Sequence, residues 1–550
     1  MEPGAGAASD TRAAPALAPL SIPVFRDLWT AAAVSNIGSQ VQLVAAAWLM
    51  GTLTSSPLMI ALVHTSINLP VMLFVLLGGA MADNMDRRRL MLLSQSGMLT
   101  GSAALTALTW CGVMTPWLLL GFTFSIAVGG ALNNPAWQAS VRDIVPRGSI
   151  SRAVALNSTS VNLARTLGPV VGGAIVGIGG VAVAFFVNVL SFLGLIVVLL
   201  RWRPAGRAAA APRERLSSAI VTGVRYAALS PHIRAVVLRG AMSSFSASAA
   251  FALMPVVARQ ELAQGPLLYG LLLAAFGTGA VTGALSGGRL RGRYTAERLV
   301  RVAAIFFAGG LLLIAMTRMV PVAALGAGCS GFGWVLAHSS FNTTVQLSAP
   351  RWVSARALAL YQTATFGAMA LGGSFFGLMA ERVGVSNALL IAGSLQALGG
   401  ALGLLLPLPV TDTLDLDPLD CWKEPDFDRP AEAEHGPLLI EIEYRISGED
   451  TTAFRAAMVE RARIRRRDGA RDWSLWRDLQ DGSRWVESYK VRNWADYIRH
   501  NQRRTRDDAQ RLEALHRFHT GAPSIRWLVR MDPDAVLVRP PVRPLADEAP

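Results

Sequence analysis

Long apolar stretches separated by short polar loops make up most of this chain. A helix needs about 20 mostly uncharged residues to cross a hydrocarbon core of ~30 Å. The chain has six such stretches in its first 200 residues and six more between residues 235 and 406. They lie near 28–50, 57–82, 90–110, 116–140, 156–178 and 181–200, and then near 235–258, 267–288, 299–317, 321–346, 356–380 and 386–406. The pattern predicts an α-helical membrane protein with twelve spanning helices.

The two sets of stretches are related by an internal repeat with an offset of 204 residues. Residues 141–173 align with residues 345–377 without a gap. Identical pairs in this register include Pro146 and Pro350, Arg147 and Arg351, Arg152 and Arg356, Gly168 and Gly372, and Gly173 and Gly377. Duplication of a six-helix half puts both termini on one side of the membrane. It also predicts a pseudo-two-fold axis along the membrane normal, with a pathway between the halves.

Arginines are concentrated on one side of the predicted bundle. The loops that follow the even-numbered helices contain twenty arginines, whereas the opposite loops contain only Arg259, Arg318 and Arg382. The positive-inside rule therefore predicts that both termini lie in the cytoplasm. The formal net charge of +14 has the same origin. It favours contact with anionic lipid and gives no reason to expect a nucleic-acid partner.

Composition excludes several other classes of protein. Residues 1–27 are rich in Ala and Pro and predict a disordered cytoplasmic tail without a cleavable signal. Cys111, Cys329 and Cys421 have no paired spacing, so neither a disulfide framework nor a zinc site is predicted. We expect no cofactor. The sequence contains no P-loop motif, which argues against direct use of ATP.

The loop at 201–234 joins the two halves. Leu216, Ile220 and Val224 share one helical face and have arginines around them, which predicts an amphipathic helix on the cytoplasmic surface. A plain linker is the alternative.

The composition changes after Pro407. Residues 407–436 are acidic and rich in Pro and predict an extended linker. Residues 437–531 then predict strands and helices in the order β-α-β-β-α-β, with the second helix at 494–518, which is the order of a cytoplasmic α+β ferredoxin-like domain. Residues 532–550 predict a second disordered tail.

Several motifs resemble those of a known transporter family. The segment GGAMADNMDRRR, after the second stretch, resembles the signature loop of the major facilitator superfamily, and GPVVGG resembles the motif of its export-type members. The segments NIGSQVQLVAAAWLM, NNPAWQASVRDIVP and LNSTSVNLARTLGP are similar to the transmembrane secretion effector branch, which includes enterobactin exporter-like proteins. In the tail, RRRDGARDWSLWRD and YIRHNQRRTRDDA resemble an extension that is similar to antibiotic-biosynthesis monooxygenase domains.

This resemblance extends from about residue 22 to residue 531. It implies a twelve-helix major facilitator fold and secondary active efflux of small amphipathic molecules, siderophore-like or drug-like, coupled to protons. The implied partners are the substrate, protons and the lipid bilayer.

The signature loop suggests a gate at the cytoplasmic end. Asp83 can interact with the positive N-terminus of a neighbouring helix, and Arg87, next to Arg88, can pair with an acidic group. The family resemblance implies that this acidic group is Asp143. Asn84 and Asp86 depart from the family pattern, and Gly287 and Leu347 replace the two carboxylates in the repeat, so the gate is expected in one half only. The alternative is that these charges only fix the topology.

The motif GPVVGG consists of Gly168, Pro169, Gly172 and Gly173 together with two valines. Small residues allow two helices to approach closely, and a proline loosens the helical backbone. The motif therefore predicts a tight but flexible contact during alternating access. Gly373 replaces Pro169 in the repeat.

Arg165 is predicted near the middle of the bilayer, where an unpaired guanidinium is costly. Its counterpart in the repeat is Met369, so the fold does not require a charge there. The carboxylates between residues 28 and 406 all lie in loops or at helix ends. They are Asp83, Asp86, Asp143, Glu214, Glu261, Glu297 and Glu381. We therefore expect Arg165 to face a cavity and attract an anionic substrate group, with a structural ion pair as the alternative.

The same shortage of carboxylates limits proton coupling. Coupling has to use a gate carboxylate or a histidine such as His64 or His338, or else be absent.

Polar side chains on several helices predict a cavity for an amphipathic substrate. They are Asn36, Gln40, Asn68, Asn134, Gln138, Arg165, Tyr361 and Gln362. Hydrogen bonds between helices are the alternative explanation for any single one of them.

The function of the predicted tail domain is left open by the sequence. A monooxygenase-like enzyme is one alternative, with His500, His516 and His519 as candidate ligands. The other is an interaction module that senses substrate or dimerises the carrier through its sheet. The carrier itself is not expected to be an enzyme.

Overall fold

The computed structural model describes residues 17–146, 149–202, 224–226, 228–350, 352–410, 415–416, 437–502, 505–506, 508, 515, 517–518 and 524–530. Most of the predicted amphipathic helix, most of the acidic linker and both ends of the chain lie outside the described residues. The chain divides into two compact units. The first contains Met1–Leu216, Ala235–Gln346 and Leu358–Val410, and the second contains Ser217–Arg234, Leu347–Ala357 and Thr411–Pro550.

The first half of the bundle begins with α1 (Pro23–Leu53), α2 (Pro57–Asn84), α3 (Arg87–Trp110) and α4 (Pro116–Ile144). Three of these helices have a proline in the first turn, where its missing N–H costs no hydrogen bond. The side chains of Ser56, Asp86 and Thr115 cap α2, α3 and α4 by accepting hydrogen bonds from backbone N–H groups. Local sequence signals thus set most of these helix starts.

The next segment, Ile150–Arg201, is helical throughout except at Gly180. Gly180 has φ 81° and ψ 174°, a conformation that glycine adopts without strain. It separates two helices, α5 (150–179) and α6 (181–201), as the apolar pattern predicts.

The second half contains α7 (Pro231–Val256), α8 (Pro266–Arg291), α9 (Ala296–Met316), α10 (Val320–Leu347), α11 (Ser354–Val383) and α12 (Val385–Ala401). Gly384, with φ 88°, separates α11 from α12. It lies 204 residues after Gly180, so the repeat preserves the backbone break between the last two helices of each half.

Within the described parts of the chain, nine helical segments are long and apolar enough to cross a membrane. One of them, Ile150–Arg201, contains both α5 and α6. The remaining two long helices, α1 and α3, are of membrane-spanning length at 31 and 24 residues but contain more polar side chains. The predicted twelve-helix bundle is therefore present.

The first helix differs from its prediction at its start. α1 begins at Pro23, five residues before the predicted residue 28, and a 3₁₀ turn (Ala18–Ser21) precedes it. Phe25 is fully buried and packs against the ends of α3, α4 and α6. Part of the predicted tail is thus ordered, because an aromatic anchor lies outside the main apolar stretch.

Glycine contacts show that the two halves pack in the same way. Gly168 of α5 lies against Gln40 of α1, and Gly372 of α11 lies against Phe245 of α7. Five residues later in each helix the contact is with the other half of the bundle. There Gly173 meets α8 at Pro266 and Gly270, and Gly377 meets α2 at Leu58 and Ala61. The internal repeat is therefore also a repeat of helix contacts.

The second unit contains a four-stranded antiparallel sheet. Its elements are β1 (Leu438–Arg445), α13 (Thr451–Arg467), β2 (Arg471–Arg477), β3 (Arg484–Val491), α14 (Trp494–Gln502) and β4 (Ser524–Val529). The strand order is β2-β3-β1-β4, which with this chain order is a ferredoxin-like arrangement. Leu438, Ile440 and Ile442 alternate along β1 and pack in one core with Phe454 and Met458 of α13. The predicted second helix is observed as α14, and most of residues 503–518 lie outside the described residues.

Candidate substrate pathway and gates

Arg87 forms an ion pair at the arginine-rich end of the bundle. Its Nη1 donates to Asp143 Oδ2 at 2.5 Å and to the Ala139 carbonyl oxygen at 2.8 Å. Both acceptors belong to α4, so the pair joins the start of α3 to the end of α4 within one half. Asp83 lies in the last turn of α2, and its side chain is outside the described residues.

Arg88 has different partners from Arg87. Its guanidinium donates to the carbonyl oxygens of Leu199 at 2.8 Å and Leu200 at 2.7 Å. These are among the last carbonyls of α6, where the helix dipole is negative and a cation is favourable. The two neighbouring arginines therefore connect α3 to two different helices.

The second half has a buried ion pair that the sequence analysis missed. Arg239 of α7 donates to both carboxylate oxygens of Glu297 in α9. Glu297 also accepts hydrogen bonds from Arg301 Nε at 2.9 Å and from the Leu408 backbone N–H at 2.9 Å. Arg239 lies four residues inside the apolar stretch at 235–258, and this lone charge was the sequence signal that could have revealed the pair.

The two halves are hydrogen-bonded to each other toward the end opposite the arginine-rich loops. The Ser56 hydroxyl donates to Glu381, and Gln260 Nε2 donates to the Ser55 carbonyl oxygen at 3.4 Å. Deeper in the bundle, Thr65 donates to the Ala370 carbonyl oxygen at 3.0 Å and its Oγ1 lies 3.1 Å from the Ser374 hydroxyl.

The motif at 168–173 lies at contacts within and between the halves. Pro169 is buried, and Gly172 packs against Val41 of α1. Gly173 lies directly against Gly270, where an added Cβ would stand 2.5 Å from the Pro169 carbonyl oxygen. The four residues thus allow α5 to approach α1 on one side and α8 on the other. These contacts help to close the end opposite the arginine-rich loops.

Around the axis of α5, Arg165 lies between Thr166, which packs against Gly277 of α8, and Gly168, which packs against Gln40 of α1, so it faces the space between the halves. Its side chain is exposed, and it forms no hydrogen bond or ion pair with any other described residue. It belongs to α5 of the first half, yet it lies close enough to His338, in α10 of the second half, for its charge to act on that imidazole. A side chain placed this way is available to a ligand in the pathway.

His338 belongs to an aromatic cluster that crosses the second half and reaches α2. Its ring stacks on Trp334 at 5.3 Å, and its Nδ1 lies 3.2 Å from the Tyr361 hydroxyl. Trp334 packs edge-on against Phe251, and Phe251 stacks on His64 at 5.4 Å. The sequence analysis did not identify Phe251 or Trp334, since nothing in the apolar pattern distinguishes them.

The other residues predicted to line the cavity fall into two groups. The first is at least partly accessible and makes no side-chain hydrogen bond to another described residue; it consists of Asn36, Gln40, Asn134, Gln138 and Gln362. The second is buried: Asn68 donates to the His64 carbonyl oxygen at 2.7 Å, and Tyr361 contacts His338. Gln40 contacts Gly168, three residues after Arg165, so these two predicted residues lie close together.

Gln42 is a polar residue that joins three helices of the bundle by hydrogen bonds. Its Oε1 accepts hydrogen bonds from Ser102 at 2.7 Å and from Asn188 at 2.5 Å, and all three side chains are buried. Gln40 is only two residues away and has no such partners. Interhelical hydrogen bonding therefore explains Gln42 but does not explain Gln40.

The ferredoxin-like unit has a buried charge network between its sheet and α13. Glu487 of β3 is fully buried and accepts hydrogen bonds from Arg461 at 2.6 Å, Tyr444 at 2.9 Å and Trp473 at 3.0 Å. Burial alone would raise the pKa of Glu487. The charges of Arg461 and Arg465, with the hydrogen bonds from Arg461 and Trp473, instead lower it to about 2.

His500 is part of the same network. Its Nε2 lies 2.9 Å from Arg465 Nη1, and its Nδ1 lies 3.3 Å from the Asp468 carbonyl oxygen. The side chain is buried and not solvated, because α14 packs against the sheet. His516 and His519 lie outside the described residues. Within the described residues, no group of three His, Cys, Asp or Glu side chains could hold a metal ion.

A bundle of this form, with a duplicated half, a pathway between the halves and contacts that close one end, defines a membrane-embedded secondary transporter. The model of the transmembrane secretion effector family matches residues 14–533, so the chain belongs to that family, a branch of the major facilitator superfamily.

Two bacterial relatives cover most of the bundle. The uncharacterised MFS-type transporter YfiS of Bacillus subtilis strain 168 is 27% identical over 408 residues, which are 70% of this chain and 94% of YfiS. The enterobactin exporter EntS of Citrobacter koseri is 27% identical over 418 residues, which are 71% of this chain and 95% of EntS.

Solved transporter structures share the fold at low sequence identity. A bacterial homologue of the human lysosomal transporter Spinster, in an inward-facing and unoccupied conformation, matches with a TM-score of 0.55 and 16% identity. That match covers 70% of this chain and 95% of the homologue. A D-xylose-proton symporter matches with a TM-score of 0.56 and 12% identity, over 70% of this chain and 98% of the symporter.

Proposed function

We propose that this protein exports small amphipathic molecules, siderophore-like or drug-like, across the bacterial inner membrane. The observation that carries the proposal is Arg165, a guanidinium that is open to the space between the halves and has no partner among the described residues. An aromatic cluster that includes His338 and Trp334 lies on the other side of this space. A charged group opposite aromatic rings suits a substrate with one polar and one apolar part.

Alternating access follows from the placement of the contacts between the halves. Ser56, Gln260 and Gly173 join the halves away from the arginine-rich loops, so the described state is closed at that end. We place the arginine-rich loops and both termini in the cytoplasm, following the positive-inside rule. The substrate then enters from the cytoplasm, and the Asp83 and Arg87 gate closes behind it when the opposite contacts open.

Export is favoured over import by the similarity to proteins that are named enterobactin exporters. The test is uptake of candidate siderophores and drugs into inside-out vesicles, with and without a pH gradient. Uptake that requires the protein would support export. Uptake only into right-side-out vesicles would contradict it. The two gradient conditions decide whether protons are coupled, for which His64 and His338 are candidates within the bundle.

For the tail domain, the structure favours an interaction module over an enzyme. The space between β3 and α13, where a small-molecule pocket would lie, is filled by Glu487, Arg461 and Arg465. The outer edge of α13 instead contacts other parts of the same unit. Arg463 donates to the Leu229 carbonyl oxygen at 2.7 Å, and Arg467 stacks on the ring of Tyr226 at 4.8 Å.

Tyr226 also packs edge-on against Trp352 at 5.3 Å. The second unit therefore joins the tail domain to the loop before α7 and to the loop between α10 and α11. We propose that the domain modulates the carrier through these loops, with homodimerisation through its sheet as a further role. Deletion of residues 411–550 should slow transport without abolishing insertion. Unchanged transport with loss of a chemical activity would favour the enzyme, and loss of a dimer in light scattering would favour the dimerising module.

A further inference from the structure

We propose that the substrate is a small organic anion that binds at Arg165 and is carried without a coupled proton, its export being driven by the membrane potential. This rests on the proposed transport function and adds the charge of the substrate and the source of energy.

The first step concerns the charge of the site. Arg165 faces the space between the halves, and its repeat counterpart, Met369, is buried in ordinary packing. A guanidinium inside a membrane protein needs a compensating anion or water. Among the described residues no carboxylate supplies this compensation. A negatively charged ligand in the pathway would supply it.

The second step concerns proton carriers. Exchange of a proton for a substrate requires a group that holds one or the other in turn. The described carboxylates of the bundle are at helix ends: Asp86 caps α3, Asp143 pairs with Arg87 in the last turn of α4, Glu261 follows α7, Glu297 is the second residue of α9, and Glu381 is two residues from the end of α11. None is placed beside Arg165.

The third step concerns two partly buried histidines. His338 faces Trp334, the Tyr361 hydroxyl and the charge of Arg165. A proton on His338 would add a second positive charge, and an anion at Arg165 would attract that proton and not displace it. The proton and the anion would then leave together. An exchanger driven by an inward proton gradient instead needs the proton to enter as the substrate leaves. His64 stacks on Phe251, and its Nε2 has no acceptor among the described residues.

The fourth step concerns energy. The cytoplasm of a bacterium is electrically negative, so an anion moves outward in the favourable direction. A potential of about 100 mV sustains a gradient of roughly 50-fold for a monoanion, and roughly the square of that ratio for a dianion. A carrier that binds the anion and returns empty therefore exports it without protons, whichever end of the bundle opens first.

The test uses the full-length protein in proteoliposomes and three dyes that share a xanthene ring. Carboxyfluorescein is anionic, rhodamine 110 is close to neutral, and rhodamine 123 is cationic. A valinomycin potential, positive inside, should raise carboxyfluorescein accumulation at least tenfold when both sides are strongly buffered at the same pH, and an added pH gradient at the same potential should not raise it further. Rhodamine 123 should not accumulate under these conditions.

Substitutions at Arg165 and His338 distinguish loss of anion binding from a general loss of folded protein. Arg165→Met, which copies the repeat, should reduce carboxyfluorescein uptake about tenfold to hundredfold, the usual size of a lost charge-assisted contact. It should reduce uptake of rhodamine 110, a zwitterion with a single carboxylate, by less. Arg165→Lys should retain part of the anion uptake, and His338→Gln should retain its dependence on the potential.

Several outcomes would overturn the inference. Uptake that follows the pH gradient and is lost in His338→Gln would show proton coupling, while the proposed export function would stand. Preference for rhodamine 123 over carboxyfluorescein would show that the site is not for anions, again with export intact. Failure of the full-length protein to transport all three dyes would contradict both the inference and the proposed function.

Discussion

Arg239 of α7 and Glu297 of α9 form a buried ion pair in which Nη2 lies 3.2 Å from Oε1 and the arginine side chain is only 1% exposed. Glu297 also accepts a hydrogen bond from the backbone N–H of Leu408, which follows α12 in the chain. The corresponding residues of the first half are Ser35 and Leu93, so the pair belongs to the second half alone. The two halves therefore fix the end of their sixth helix in different ways: Glu297 bonds to Leu408 after α12, and Arg88 bonds to Leu199 at the end of α6.

Glu297→Ala should lower the stability of the bundle strongly. The change leaves Arg239 buried and unpaired, and breaking a buried pair in this way typically costs about 3–5 kcal/mol. Glu261→Ala is a matched control, because its partner Arg318 is 86% exposed and 3.9 Å away. That change should cost less than about 1 kcal/mol. Thermal unfolding of both variants in detergent measures the difference, and equal melting temperatures would contradict the structural role of the pair.

Asp83→Asn should slow transport strongly while the protein remains inserted and folded. The charge at the end of α2 is removed, and with it the proposed closure beside Arg87. Asp86→Asn is the control, since the side chain at this position caps α3 through the Arg89 N–H and asparagine caps equally well. Initial rates of substrate uptake into vesicles compare the two. Near-normal turnover in Asp83→Asn would show that the charges of this loop only fix the topology and do not form a gate.

Gly270→Val should separate α5 from α8 and weaken closure at the end opposite the arginine-rich loops. The added atoms would collide with the Pro169 carbonyl oxygen, and such overpacking costs about 1–3 kcal/mol. Gly288→Val is on the same helix but meets no neighbour within 4 Å, and serves as the control. Spin labels at positions 55 and 260 should report a longer distance in Gly270→Val only. An unchanged distance would show that the contact adapts.

Glu487 should make the tail domain sensitive to acid in a defined range. Its folded pKa, about 2, is below its ordinary value of 4.5, so its ion pairs stabilise the fold fully above that ordinary value. The contribution, about 3 kcal/mol, should disappear as the pH falls from 4.5 through 2. Hydrogen exchange of β3 in the full-length protein measures this loss.

Glu487→Gln should flatten that acid dependence and destabilise the sheet at neutral pH, because two buried arginines lose their counter-charge. Glu443→Gln, which affects a partly exposed pair with Arg484, should change little. If Glu487→Gln kept the acid transition of the parent protein, another carboxylate would be responsible for it.

The architecture of the bundle could be predicted from the sequence because it depends on periodic and local signals. Length and hydropathy determine where helices cross a bilayer, and the internal repeat determines their symmetry. Gly180 and Gly384 occupy equivalent positions in that repeat, and both break the helical backbone between stretches that the apolar pattern separates. The alternation along β1 similarly predicted the strand and its buried face.

The pairing of polar side chains was decided only by the tertiary structure. Gln40 and Gln42 are two residues apart and chemically identical, yet one is unpaired and the other joins Ser102 and Asn188. The difference comes from the neighbouring helix that each residue meets, and helix rotation depends on packing across the whole bundle. The partners of Arg239, Glu487 and His500 were hidden for the same reason, since each contact joins residues that are more than twenty positions apart. A hydropathy pattern identifies buried segments, but charge pairs inside them form through space.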